Sequence, residues 1–354
     1  MLVSQIISLA LLSLFNIVKS QACTPNTWLN LTALPYSRQE HSTVAINDTT
    51  IAIIGGIIPI GGASETTDVM QFYDIPSDTW LNATPAPYKV NNPNVAVVEG
   101  KIYLLGGLID GPQLPDGSTN WVASGECHVY DPTADTWTAL EPMPNGTERG
   151  STNSGVHGEM IYLAGGATML QNLYQDSVAM VTAFNTTSGS WQRLPPAAAS
   201  IPASRRGGVG SIVGDTFYVI GGRWFGQLNV TGTVFMLDLN DQDVGWKTSP
   251  GHMPVPRGGL SGDVVGSKVY TFGGEGNPNT LTGVFNKTEA FDTTTQQWTK
   301  LVPMAVPRQG THAVAVGNKV YIPGGGLQQD GKSVVVNNVT LYEDMSAHFD
   351  AYCA

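Results

Sequence analysis

Six glycine doublets recur along this 354-residue chain, at Gly55-Gly56, Gly106-Gly107, Gly165-Gly166, Gly221-Gly222, Gly273-Gly274 and Gly324-Gly325. The intervals between them are 51, 59, 56, 52 and 51 residues. A tryptophan series, Trp28, Trp80, Trp137, Trp191, Trp246 and Trp298, keeps the same beat at intervals of 52, 57, 54, 55 and 52. Two independent markers in phase at a period of about 50 residues mean repeated units, and this period reads as propeller blades rather than separate domains.

Each doublet closes an apolar alternating run that reads as a strand: IAIIGG, KIYLLGG, MIYLAGG, TFYVIGG, KVYTFGG and KVYIPGG. After a loop of variable length comes a second strand ending in an aromatic or aliphatic residue and an acid or amide, as in FYD at Phe72 to Asp74, VYD at Val129 to Asp131 and AFD at Ala290 to Asp292. A polar turn then leads to the Trp-bearing outer strand. This combination resembles the kelch repeat and covers nearly the whole chain after residue 22. The resemblance implies an all-β fold, a six-bladed kelch-type β-propeller spanning residues 23–354.

Neither end completes a blade by itself. Trp28 and Leu29 to Leu34 supply only an outer strand, and the last repeat, whose third strand is read at Val339 to Glu343, stops before any Trp. The amino-terminal strand is therefore expected to complete the last blade, closing the ring. Cys23 and Cys353 flank that seam and are predicted to form a disulfide across almost the full chain. Cys127 then remains, in a strand where it reads as a small buried hydrophobe rather than a reactive thiol.

Leu2 to Val18 is apolar and short and runs into Lys19-Ser20-Gln21-Ala22, so residues 1–22 read as a secretory signal rather than a membrane span. Eight Asn-x-Thr sequons, at Asn30, Asn47, Asn82, Asn145, Asn185, Asn229, Asn286 and Asn338, agree with passage through a eukaryotic secretory pathway. The expected location is the secretory lumen or outside the cell, with no membrane segment after cleavage. A net charge of −11 argues against nucleic acid, whose binding needs clustered cations.

In the kelch arrangement, the loops joining the second and third strands and the segments leading into the first strand open on one face, around the central channel. Four of the five loops read there are unusually apolar, bringing Ile57, Ile58, Leu108, Trp121, Leu170, Tyr174, Trp224 and Phe225 to one mouth. Such enrichment fits either an apolar binding cavity or loops that stiffen by packing on one another. The segments leading into the first strand carry Arg38, Arg149, Arg205, Arg257 and Arg308, each 16 or 17 residues before its doublet; the second blade has Lys89-Val90 instead. Kelch proteins that grip acidic peptides imply that such arginines hold carboxylates or polarise a carbonyl oxygen. The alternative is that they satisfy carbonyls between blades, with Arg205 beside Arg206 the exception.

No cofactor or metal is expected. His41 and His312 occupy equivalent places in the first and last blades, but no third ligand accompanies them. The copper site of galactose oxidase, another protein with kelch-like blades, needs a tyrosine joined to cysteine, and Cys127 lies inside a repeat strand. No GxSxG elbow, Walker loop or GxGxxG before a helix is present.

The signal, six blades, sequons and apolar loops together resemble fungal secretory-pathway propellers that catalyse hetero-Diels–Alder cyclisation in tropolone sesquiterpenoid biosynthesis. That resemblance implies an apolar small-molecule substrate: a tropolone quinone methide joined to a humulene-type olefin, with arginines or the indoles of Trp121 and Trp224 donating to the tropolone oxygens. Glu275, Asp110 and His41 are weaker acid–base candidates. Two other readings stand beside it. One is a non-catalytic kelch module for a protein or glycan partner; the other is a sugar epimerase, against which the apolar rim argues.

Overall fold

The computed structural model describes residues 23–60, 63–115, 120–171, 174–329, 334–336, 339–342 and 344–354. Residues 1–22, read as the signal, and the sequon at Asn338 lie outside the described residues. Five antiparallel sheets run in chain order from the axis outward. Blade 1 is Ser42–Asn47, Thr50–Ile54, Met70–Asp74 and Thr79–Asn82; blade 2 is Val95–Val98, Lys101–Asp110, Asn120–Asp131 and Thr136–Ala139. Blades 3, 4 and 5 repeat the pattern, with innermost strands Asn153–His157, Val209–Val213 and Ser261–Val265 and outermost strands Ser190–Gln192, Lys247–Thr248 and Gln297–Lys300.

Blade 6 is completed across the chain ends: Val314–Val316, Lys319–Pro323 and Phe349–Cys353 are followed outward by Thr27–Asn30. The ring closes as expected, but the third strand is Phe349–Cys353 rather than the segment ending at Glu343. Val339–Tyr342 pairs instead with Val334–Val336 in a separate hairpin. The reason is register: Asp350 and Tyr352 oppose Ile322 and Val320, which places Tyr352 against Trp28 at 5.1 Å, as Tyr73, Tyr130, Phe184 and Phe291 stand against the tryptophans of blades 1, 2, 3 and 5.

Apolar residues collect between blades rather than within them. Six clusters each draw on two neighbouring sheets; Ala52, Ile54, Val95 and Leu104, for example, join blades 1 and 2. Every blade is thus only half buried without both neighbours, so the ring forms as a whole. The tryptophans explain their own period. Each indole N–H donates to a carbonyl just beyond the outer strand of the preceding blade: Trp80 to Thr32 at 3.0 Å, Trp137 to Thr84 at 3.4 Å, Trp191 to Glu141 at 3.3 Å, Trp246 to Ala198 at 2.9 Å, Trp298 to Gly251 at 3.1 Å, and Trp28 to Val302 at 3.0 Å.

Cys23 and Cys353 are joined by a disulfide over a sequence separation of 330. Cys127 is buried in the core between blades 2 and 3, where burial pushes its thiol up to about 12. Closing so long a loop contributes about 6 kcal/mol through lost chain entropy in the unfolded state. Reduction of the Cys23–Cys353 bond is therefore expected to lower Tm by about 8 °C in a calorimetric scan, with Cys127→Ser leaving that shift unchanged.

Candidate functional site

The five repeat arginines turn inward. All are nearly inaccessible, and their guanidinium groups reach back between the second and third strands of their own blade. Arg149 donates to Gly165 O at 2.7 Å, Leu163 O at 2.9 Å and Thr182 Oγ1 at 3.0 Å. Arg308 donates to Gly324 O at 3.2 Å and His348 O at 2.8 Å, and pairs with Asp350 at 2.7 Å. Arg257 lies 3.2 Å from Glu289, Arg38 bonds Val69 O and Gln71, and Arg205 bonds Gly221 O and Thr233 beneath the Phe235 ring. Burial pulls Arg38, Arg149, Arg205, Arg257 and Arg308 down to about 10. These side chains hold carbonyls and partners inside the blades; Arg205 belongs with them, and the charge at the mouth is its neighbour Arg206.

Two residues beyond each arginine position the chain enters the left-handed region. The six residues are Glu40, Asn92, Ser151, Gly207, Gly259 and Gly310, with φ of 54, 47, 54, 58, 58 and 58°. They form a collar linked by backbone bonds: Glu40 N–H donates to Gly310 O at 2.6 Å, Asn92 to Glu40 at 2.7 Å, Ser151 to Asn92 at 2.9 Å and Gly310 to Gly259 at 3.0 Å. Glycine is the unstrained choice there, so the carboxyl at Glu40 is carried at a cost of about 1 kcal/mol or more.

The residues directly after the doublets, Ile57, Leu108, Ala167, Arg223, Glu275 and Gly326, pair with Gln39, Asn91, Gly150, Arg206, Gly258 and Gln309. After the doublets, blades 1 to 3 thereby place apolar residues and blades 4 and 5 charged ones. Arg223 pairs with Glu275, and Arg206 donates to Gln175. A Cβ built on Gly259 would lie 3.0 Å from Arg223 Nη2, 3.0 Å from Gln309 Oε1 and 3.4 Å from Glu275 Oε1. One on Gly310 would meet Glu40 Oε1. Glycine at these places makes the space in which the charged side chains converge. Burial first, then Arg223, pulls Arg206 down to about 9; burial and the Glu275 charge push Glu40 above the usual carboxylate range against Arg223 and Arg206. The Nε of Arg206 and of Arg223, like those of Arg38, Arg205, Arg257 and Arg308 inside the blades, have no hydrogen-bond partner.

The apolar loops divide into two groups. Trp121 packs against Leu108, Ala167 and Leu170, its indole N–H donates to Asp110 at 3.1 Å, and Asn120 to Val122 pairs with Met169 to Gln171 of blade 3. These residues stiffen the rim. Tyr174, Trp224 and Phe225 stand out instead, 46, 52 and 46% exposed, with Tyr174 and Phe225 edge to face at 5.2 Å. Ile57 and Ile58 are buried.

Below the collar the innermost strands enclose an axial cavity lined by Ser42, Asn94, Thr152, Asp263 and His312 among others. Burial pushes Asp263 up to about 6, against backbone N–H groups of Ala315 and Val264. His312 Nδ1 lies 2.7 Å from His41 O, and burial lowers both imidazoles. Among the described residues no group of three or more His, Cys, Asp or Glu is placed to hold a metal ion.

A family described as "KLHDC2/KLHL20/DRC7 Kelch-repeats domain" matches residues 9–222 and 154–348. The chain belongs to the kelch-repeat family. This kelch chain is 38% identical over 316 residues to Kelch-like protein terF of Aspergillus terreus, covering 87% of the chain and 66% of that relative. It is 25% identical over 303 residues to human Kelch-like protein 34, covering 82% of the chain and 43% of that protein. The kelch chain thus spans less than two thirds of these relatives' own lengths. The solved "Structure of YjhT" shares the fold at a TM-score of 0.68 and 16% identity, covering 90% of this chain and 95% of that one.

Glu40, Arg223, Gln39 and Gln309 escaped the sequence reading. A signal for them exists: when the repeats are aligned, Glu40 is the charged residue among six collar positions, and Arg223 and Glu275 are the charged pair after the doublets. Three substitutions test this division of labour. Arg308→Met leaves Asp350 buried with less compensation and is expected to destabilise by about 3 to 5 kcal/mol in urea unfolding. Trp224→Ala is expected to change stability by less than about 0.5 kcal/mol while weakening ligand binding, whereas Trp121→Ala lowers Tm first.

Proposed function

We propose that this kelch propeller is a secretory-pathway enzyme that binds an apolar small molecule at its mouth, specifically a hetero-Diels–Alderase joining a tropolone quinone methide to a humulene-type sesquiterpene. The observation that carries the reading is the divided mouth: exposed Tyr174, Trp224 and Phe225 stand on the rim, while the buried guanidiniums of Arg206 and Arg223 converge at the collar, each with an Nε that has no hydrogen-bond partner. A cycloaddition between two bound reactants breaks no bond that requires a covalent nucleophile. It needs the partners held in register, and donors that draw electron density from the heterodiene oxygen. Holding the partners lowers the barrier by several kcal/mol. Hydrogen bonding from a guanidinium in a dry site adds to this as charge develops on that oxygen. The aromatic rim residues would hold the terpene hydrocarbon.

The similarity to a fungal Kelch-like protein is compatible with this reading. The disulfide suits an oxidising compartment, and Asn30, Asn47, Asn82 and Asn145 are exposed, as glycosylated asparagines would be. Among the described residues no helix is long and apolar enough to cross a membrane. A second reading, recognition of a protein or glycan partner, is favoured by the cluster of exposed aromatic residues beside Leu228, the composition of a binding hot spot.

Incubation of the purified protein with a tropolone quinone-methide precursor and humulene is expected to give one adduct enantiomer faster than the protein-free control. Racemic adduct at the control rate would overturn the enzymatic reading in favour of recognition.

A further inference from the structure

The collar holds a carboxyl where the repeat calls for none. Five of its six residues are glycine, serine or asparagine, which tolerate the left-handed backbone or add no charge; Glu40 alone is ionisable. Its carboxylate lies over Gly310, in the space left by a missing side chain, and its surroundings are set by every adjoining blade. Facing it are Arg206 of blade 4, Arg223 leading out of blade 4, Glu275 of blade 5 and Asn92 of blade 2. Asp176 also acts on Arg206, but its oxygens accept from Thr168 and Met169 within its own loop. His41, the next residue, is ringed by Arg38, Arg308 and His312 and is kept neutral by burial.

Charge bookkeeping over the inner four groups then has two states. With Glu40 ionised, two guanidiniums face two carboxylates and the cluster is neutral. With Glu40 protonated it carries one positive charge, in a buried place where the Nε of Arg206 and of Arg223 lack acceptors. Such a place is complementary to one negative oxygen and to no more than one.

We propose that the collar binds a monoanionic oxygen ligand, a carboxylate or an acidic enol, between Arg206 and Arg223, and that binding takes up a proton at Glu40. This rests on the reading of the mouth as a small-molecule site and adds to it a subsite for an acid. An incoming anion adds a like charge beside Glu40 and so favours its neutral form further. By linkage, affinity is greatest where Glu40 is protonated and falls as pH rises through its value in the free protein, by up to about tenfold per pH unit. Glycine makes room for the guanidinium itself: a Cβ on Gly258 would lie 2.9 Å from Arg223 Nε, so any larger residue there would displace Arg223 from the collar.

The experiment is isothermal titration of the purified full chain with benzoate, and with benzamide as its uncharged isostere, at one pH in HEPES and in Tris. Benzoate is expected to bind and benzamide not, and the heat is expected to differ between buffers in the sense of proton uptake. Glu40→Gln is expected to fold with an unchanged or higher Tm and to bind benzoate without proton uptake. Arg206→Met is expected to weaken benzoate by about 30-fold or more. Equal binding of benzamide, no buffer dependence, or proton uptake that persists in Glu40→Gln would each overturn the proposal. Absence of benzoate binding together with stereoselective cyclisation of the uncharged quinone methide would remove the acid assignment and leave the proposed enzyme standing. Absence of both would remove the two together.

Discussion

The ring depends on one hydrogen bond repeated between blades. The second glycine of a doublet donates its N–H to the carbonyl of the arginine position in the next blade: Gly166 to Arg205 at 2.7 Å, Gly222 to Arg257 at 2.8 Å, Gly274 to Arg308 at 2.8 Å and Gly325 to Arg38 at 2.7 Å. Gly56 does the same toward Val90 at 2.8 Å, and in blade 2 the Asn94 amide takes over, donating to Arg149 O at 2.8 Å. The approach is so close that a Cβ on Gly165 or Gly273 would lie 2.2 or 2.1 Å from the accepting oxygen. Left-handed φ values of 67 and 57° at those two residues add a second reason for glycine. The arginine side chain completes the unit by tying the same segment to its own blade.

Once that unit is in place, the outer tryptophans add a second belt and the disulfide a third. The redundancy matters for the centre of the molecule. Because adjacency is held by backbone groups and by buried arginines, the side chains of the collar and of the residues after the doublets are not needed for closure. Those positions are free to differ between blades, and they do: blades 1 to 3 place Ile57, Leu108 and Ala167 there, blades 4 and 5 place Arg223 and Glu275. A sixfold scaffold thereby carries an asymmetric mouth. Holding Glu40 at a positive φ and bringing two guanidiniums out of water both work against stability.

The number of blades, the strand order within each and the disulfide at the seam were legible in the sequence, because each follows from a local pattern repeated in phase. The doublets required close approach and the tryptophans required an aromatic partner, whatever surrounded them. The third strand of blade 6 was not legible: Val339–Tyr342 has the apolar character of a strand and does form one, but only register with Lys319–Pro323 selects Phe349–Cys353 for the blade. The arginines show the reverse difficulty. A charged residue recurring at a face reads equally as a ligand-binding group and as an internal tie, since its five donors suit both.

What the sequence determined by itself, then, was the repeat: periodicity fixes local strands and their order, and each glycine or tryptophan answers to contacts its neighbours supply in every blade. Only the tertiary structure decided which polar groups meet. Glu40, Arg206, Arg223 and Glu275 lie on separate segments up to 235 residues apart in sequence. They share a site because the ring brings equivalent positions to one axis, and their charge states follow from the burial they find there.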